Sequence, residues 1–311
     1  MSSIAKTHLL TCDHWEKDHI VSLLARANAL EAMPVAELPQ CLHQKTLVNL
    51  FYEPSTRTRV SFELAAKQLG AHVINIAAAN SSVKKGETLW DTLETVQAMG
   101  VSGVVLRHGD HEAVKAALGA LEPSTFFLNG GSGSIAHPSQ ALLDMLTIRQ
   151  QYPDFRDLVV AIVGDIAHSR VARSDLALLR TLGVGECRLI APEGLLPSDI
   201  PEGVSCYTEL ASGLQDVDVV MLLRLQKERM VAAAIPDEMA YAAAYGLTIE
   251  RLAKAKPQAI VMHPGPMNRG VEIDDAVVNC PQSVIHKQVR NGVAVRMALL
   301  EYLWQQTQKI A

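Results

Sequence analysis

Three hydroxyls and two guanidiniums fall within five consecutive residues, Ser55-Thr-Arg-Thr-Arg59, just past Glu53 and Pro54, which follow an apolar run that ends at Tyr52. From 57 to 69 the apolar residues Val60, Phe62, Leu64, Ala65 and Leu69 recur at helical spacing and stop at Gly70. The five residues therefore open a helix, with Ser55 at its N-cap. Unpaired amides and the positive dipole end of a helix start attract an anion, and Arg57 or Arg59 adds forked, charge-assisted hydrogen bonds. The segment predicts a phosphate cradle rather than a merely well-capped surface helix. The 28 Lys+Arg against 33 Asp+Glu give a net charge of −5, so anion binding must come from local clusters, and a nucleic-acid partner is not expected.

Other residues able to bind an anion or polarise a carbonyl stand in 80–87, at Arg107 and His108, and in 130–140, 164–170, 224–229 and 263–270. Each of these segments follows a predicted strand. Strands are predicted at 45–52, 72–76, 101–106 and 125–128, alternating with helices at 56–69, 87–99, 111–118 and 138–151, after a first helix near 15–30. A Gly/Ser loop is predicted at 129–135, and a polar connection at 152–157. A second set follows, with strands at 158–163, 187–190, 204–207, 217–223 and 259–262 and helices near 169–182, 248–255 and 283–305.

Such alternation predicts an α/β fold of two domains, each with a central parallel sheet flanked by helices. The domains are expected at 1–137, joined by about 290–311, and at 153–289, with 138–152 as the inter-domain helix. The last helix is long enough to cross back onto the first domain. In open parallel sheets ligands sit beyond the carboxyl ends of the strands, the face on which all the polar segments fall.

The 311 residues suffice for two cores, and the composition is that of a soluble globular protein. Five scattered cysteines without a C-x-x-C pair predict reduced thiols and a cytoplasmic chain. Neither a membrane span nor a signal peptide is predicted. Val159-Val-Ala-Ile-Val-Gly-Asp165 opens like a dinucleotide-binding turn but lacks G-x-G-x-x-G. With no P-loop, H-E-x-x-H or zinc spacing either, no cofactor and no metal is expected.

Taken together, the motifs carry a resemblance along the whole chain. They are Ser55-Thr-Arg-Thr-Arg59, Ser82-Val-Lys-Lys-Gly-Glu-Thr88, His137-Pro-Ser-Gln140, His168-Ser-Arg170, Arg224-Leu-Gln-Lys-Glu-Arg229 and His263-Pro-Gly-Pro-Met-Asn-Arg-Gly-Val-Glu-Ile273. The set resembles the aspartate/ornithine carbamoyltransferase family, and the second, fifth and sixth motifs resemble its aspartate branch.

That resemblance implies transfer of a carbamoyl group from carbamoyl phosphate to the amine of L-aspartate, within pyrimidine biosynthesis. It implies a phosphate held by Ser55, Thr56, Arg57, Thr58 and Arg107, and a carbonyl polarised by Thr58, Arg107 and His137. Gln140 and the backbone at Pro264, Gly265 and Pro266 would hold the carbamoyl amide, with a cis peptide at Gly265-Pro266. Arg57, Thr58, Arg107 and His137 are thus the expected catalytic residues.

Aspartate would lie between the domains on Lys85, Arg170, Arg224 and Gln226. Lys85 and a nearby serine, Ser81 or Ser82 with Ser82 chosen, would come from a neighbouring subunit of a homotrimer. Regulatory or dihydroorotase chains are the further partners the resemblance allows. Val171 stands where some members carry Thr, and Gly265 departs from members that have a separate regulatory chain. Ornithine transfer would call for acidic or sulfur-containing residues where Arg224 and Gln226 stand. A catalytically silent scaffold would have lost Arg57, Lys85, Arg107, His137, Arg170 or Arg224.

Overall fold

The computed structural model describes residues 6–77, 86–226 and 237–310. The chain divides into two compact units, one made of Met1–Leu146 and Arg290–Ala311, the other of Thr147–Val289. The first contains β1 (His8–Leu9), α1 (Lys17–Ala32), β2 (Thr46–Phe51), α2 (Thr56–Gln68), β3 (His72–Ala77), α3 (Leu89–Ala98), β4 (Gly103–His108), α4 (His111–Ala117) and β5 (Phe126–Ser132). Helix α5 (Pro138–Gln151) leads out of it. The second contains β6 (Val159–Val163), α6 (Arg170–Leu182), β7 (Glu186–Ile190), β8 (Val204–Tyr207), α7 (Leu210–Gly213), β9 (Val219–Leu222), α8 (Glu238–Tyr245), α9 (Ile249–Leu252), β10 (Ile260–Met262) and α10 (Asp275–Val278). Helix α11 (Ile285–Gln308) returns to the first unit.

Each unit is a five-stranded sheet in which every strand pairing is parallel, ordered β1-β5-β4-β2-β3 in the first and β10-β9-β6-β7-β8 in the second. Helices on the faces of a parallel sheet bury its strands on both sides, which explains the apolar run Val160–Val163 and the run Leu47–Phe51, broken only by Asn49. Val48, Leu50, Val104, Leu106 and Phe127 pack with Leu93, Val96 and Val114 of α3 and α4. In the second unit Ala161, Val163, Val220, Leu222 and Val261 pack with Leu247, Leu252 and Val277. Each fully buried side chain of this size contributes about 1.5–3 kcal/mol. Gly103 has no room for a side chain, since a Cβ would lie 2.3 Å from the Phe126 ring.

Both sheets reverse their winding in the middle. In the first the chain moves from β2 to β3 on one side and then to β4 on the other; in the second it moves from β6 to β7 and β8, then to β9 and β10. At such a switch point the two connections leave in opposite directions and open a crevice beyond the strand ends. The crevices here fall between β2 and β4 and between β6 and β9.

Several expectations are corrected. The predicted Gly/Ser loop at 129–135 is strand as far as Ser132, because buried Asn129 ties it down: its Nδ2 donates to Leu10 O and Ser132 Oγ, both at 2.8 Å, and its Oδ1 accepts from Gly131 N. The two residues of β1 add a fifth strand to the first sheet and are too few to show alternation in the sequence. Helices α8 and α10 were not expected, and the helix predicted near 248–255 is the single turn α9, capped by Thr248 Oγ1. The last helix closes the first unit. Glu301 accepts from Arg26 Nε at 2.6 Å and Nη2 at 2.8 Å, Lys45 Nζ sits 4.8 Å from the Trp304 ring, and Tyr302 meets Trp15 edge-on.

Candidate functional site

Ser55 takes the N-cap position of α2 with extended backbone, yet its hydroxyl makes no capping bond. The start of α2 therefore keeps the anion-attracting character of a helix whose first amides lack a side-chain cap. Thr56 and Arg57 are exposed, Ser55 is half-buried, and Thr58 is buried on the sheet side. Across the first switch point, Phe51 of β2 is in register with Arg107 of β4, so the strand that feeds the cradle lies beside the arginine expected to serve it. The Arg107 guanidinium donates through Nη1 to Gly130 O at 3.3 Å, and its Nε lies 3.2 Å from Glu53 Oε2. Glu53 was not among the expected site residues. It follows β2 directly and holds Arg107 at the crevice by charge.

His137 ends the segment after β5 and immediately precedes α5, and it is buried. Its carbonyl accepts from the amides of Gln140 and Ala141, which starts the helix and sets Gln140 one turn further on. The side-chain Nε2 of Gln140 donates to Asp144 Oδ1 at 3.1 Å and Oδ2 at 3.2 Å. Ser55, Thr56, Arg57, Thr58, Arg107, His137 and Gln140 thus all lie in the first unit, at or just after the carboxyl ends of β2, β4 and β5.

Arg170, Arg224 and Gln226 follow β6 and β9, the strands on either side of the second switch point. Arg170 is the first residue of α6, 5% exposed, behind an N-cap Ser169 whose hydroxyl accepts from Ala172 N. Arg224 and Gln226 follow β9, and the Arg224 Nη1 donates to Leu225 O at 3.1 Å. What fastens this segment to β6 is Asp165, fully buried after that strand: its Oδ2 accepts from Gln226 N at 3.0 Å, and its Oδ1 is 2.7 Å from His168 Nδ1. Gly164, at φ +126, allows the close approach; a Cβ there would lie 2.3 Å from Leu223 O.

After β10 the chain turns through a cis peptide at Gly265-Pro266, as expected. Buried His263 orders that turn, because its Nδ1 accepts from Gly265 N at 2.8 Å. Its Nε2 must then carry the proton, which points to Glu272 Oε1 at 3.2 Å. Gly265 is half-buried and Pro266 exposed. Ser82, Lys85 and Arg229 lie outside the described residues. No group of three or more His, Cys, Asp or Glu side chains that could hold a metal ion occurs among the described residues.

Comparison with known proteins adds an independent line. Residues 7–150 match the carbamoyl-phosphate-binding domain of the aspartate/ornithine carbamoyltransferases, and residues 156–303 match their aspartate/ornithine-binding domain. The chain belongs to the aspartate/ornithine carbamoyltransferase family.

It is 50% identical over 301 residues to the aspartate carbamoyltransferase catalytic subunit of Stenotrophomonas maltophilia (strain K279a), covering 95% of each chain. The structure of Trypanosoma cruzi aspartate transcarbamoylase in complex with carbamoyl aspartate and phosphate superposes with a TM-score of 0.88 at 32% identity, over 97% of each chain. Ornithine carbamoyltransferase from Pyrococcus furiosus also superposes, with a TM-score of 0.84 at 28% identity over 96% of this chain and 97% of that one. Fold alone therefore does not separate the two branches of this carbamoyltransferase family; the side chains at the second switch point must.

Sequence reasoning missed Glu53, Asp165, Asp144 and Glu272. Asp165 had a legible signal, an acid following Gly164 directly after a predicted strand. Glu272 stood within the His263–Ile273 motif without a role, and Asp144, which acts on a residue four positions away, had no signal.

Proposed function

We propose that this chain is an aspartate carbamoyltransferase, transferring the carbamoyl group of carbamoyl phosphate to the amine of L-aspartate to give N-carbamoyl-L-aspartate and phosphate, a step of pyrimidine biosynthesis. One observation carries the choice of acceptor: Arg170 and Arg224 flank the second switch point together with Gln226, tied there by Asp165. Two carboxylates on aspartate call for forked cations, whereas the ammonium of ornithine would be repelled by them.

The amine nitrogen attacks the carbamoyl carbon, a C–N bond forms, the bond to the phosphate oxygen breaks, and the departing phosphate takes the amine proton. The start of α2, with Ser55, Thr56, Arg57 and Thr58, neutralises the phosphate together with Arg107. Thr58, Arg107 and His137 aim donors or charge at the carbonyl oxygen as it becomes negative. Gln140 and the backbone at Gly265 and Pro266 accept from the carbamoyl N–H groups. No covalent intermediate is needed, and orientation of the reactants can supply about 7–11 kcal/mol of the barrier.

A homotrimer in the cytoplasm, with Ser82 and Lys85 reaching a neighbour's site, completes the reading. Its support is exposed apolar side chains on the first unit: Val60 and Leu64, one turn apart on α2, and Ile74 on edge strand β3 are 44%, 46% and 49% exposed. No helix among the described residues is long and apolar enough to cross a membrane. The relatives named as catalytic subunits make regulatory chains the further partners to test. A product assay that supplies carbamoyl phosphate with aspartate or ornithine separately decides the acceptor: carbamoyl aspartate is expected, and turnover of ornithine alone would overturn the assignment.

A further inference from the structure

The amide of Gln140 has two faces with opposite chemistry, and its surroundings choose between them. Gln140 Nε2 is 3.1 and 3.2 Å from the two oxygens of Asp144, which is completely buried one turn further along α5. An ionised carboxylate only accepts hydrogen bonds, so the NH2 side must face Asp144 and the carbonyl Oε1 must face away from it. A buried carboxylate needs positive charge nearby, and the buried guanidinium of Arg296 on α11 is the cation that interacts electrostatically with it. Burial lowers the Arg296 guanidinium to about 10, opposed by the Asp144 charge, and leaves it cationic at neutral pH.

Arg296 is itself held in place: Nη1 donates to Gly292 O at 3.0 Å, and the guanidinium sits 4.8 Å from the ring of Phe62 on α2. Gly292 makes the space, since a Cβ there would be 2.6 Å from Arg296 Nη1 and 3.3 Å from Leu143 Cδ2. One buried cation thus contacts the helix expected to hold the phosphate and supports the acid that orients the residue expected to hold the carbamoyl group.

We propose that Asp144, supported by Arg296, is a positioning residue that fixes the Gln140 carbonyl outward, so that the site selects an acyl phosphate bearing an NH2 group over one bearing a methyl group. The inference rests on the carbamoyl phosphate reading above. A carbamoyl NH2 donates to Oε1, while the methyl of acetyl phosphate, equal in size, cannot. Sites built around a hydrogen bond reject the analogue that lacks it far better than apolar pockets reject a wrong shape.

The test measures KM for carbamoyl phosphate at saturating aspartate, together with inhibition constants for acetyl phosphate and inorganic phosphate. In Asp144→Asn the Gln140 amide can turn over and present its NH2 to the substrate's. KM for carbamoyl phosphate should rise about tenfold or more, with both inhibition constants unchanged. Because Asp144→Asn leaves the Arg296 charge unpaired, Asp144→Asn with Arg296→Met provides a neutral pair, and it should show the same selective loss.

An equal loss for carbamoyl and acetyl phosphate, or a KM unchanged in both variants, would overturn the proposal. If neither variant folds, the pair is structural and the proposal falls. Absence of carbamoyl aspartate formation by the unaltered protein would instead remove the functional reading beneath it.

Discussion

At the scale of single residues, the chemistry depends on a few charges whose surroundings differ. Arg57 is exposed at the second position of α2, so it can be removed without opening a core. Arg57→Ala is expected to lower kcat/KM for carbamoyl phosphate by about 10²–10³, the usual effect of losing one donor to a developing charge, while the thermal midpoint stays put. A steady-state assay beside a melting curve checks this, and near-normal turnover would place the phosphate elsewhere. Ser55 to Arg59, Arg107 and Arg224 were legible because polar groups shortly after apolar runs break a pattern, and buried Arg170 because it opens the helix that follows β6. The buried acids were not. Arg296 and Asp144 are separated by the whole of the second unit in sequence, and only folding brings their charges together.

Elements position those residues through close approaches that a single methyl would spoil. Gly164 sits at φ +126 with Leu223 O where a Cβ would go, and it joins β6 to the segment bearing Arg224 and Gln226. Gly164→Ala should destabilise the second unit by about 2 kcal/mol or more, read as a lower denaturant midpoint, and should raise KM for aspartate more than KM for carbamoyl phosphate. Helix α3 offers a contrasting case at its exposed start. Thr88 and Asp91 form a reciprocal capping box there, with Asp91 N donating to Thr88 Oγ1 at 3.1 Å and Thr88 N to Asp91 Oδ2 at 3.2 Å. Thr88→Ala should cost about 1 kcal/mol of stability in the first unit, and an unchanged midpoint would show that the box contributes nothing.

The long periodic helices and the apolar strands could be read from sequence, because parallel strands buried on both faces leave nearly continuous aliphatic runs. The glycine-rich end of β5 could not be read: Asn129, Gly130 and Gly131 have turn composition, and only the buried Asn129 side chain makes them strand. Helix α8, with three alanines between Tyr241 and Tyr245 and only one buried residue, has almost no apolar stripe to detect.

Across the whole molecule, acid should act unevenly. His8, His19 and His111 all belong to the first unit, and burial lowers each below its ordinary value of 6.5. With folded values below unfolded ones, the unfolded chain binds protons more readily. The stability these histidines contribute is complete above about pH 6.5 and is lost as pH falls through the window below it. In the second unit the Arg188 hydrogen bond lowers Glu186 below 4.5, so that contribution persists until pH falls past 4.5. Hydrogen exchange at about pH 5.5 should therefore show the first unit loosening relative to pH 7.5 while the second holds. Equal loosening of both would refute this.

The first unit is completed by a helix encoded more than a hundred residues after the rest of it, since Arg290–Ala311 belongs with Met1–Leu146 and all of Thr147–Val289 lies between. During translation, then, the later-encoded lobe is uninterrupted and can fold as it emerges from the ribosome. The earlier one must wait, with Arg26, Trp15 and Lys45 lacking their partners Glu301, Tyr302 and Trp304, until Arg290–Ala311 has been made. A nascent chain stalled at Val289 should present a protease-resistant distal lobe and a cleavable amino-terminal one.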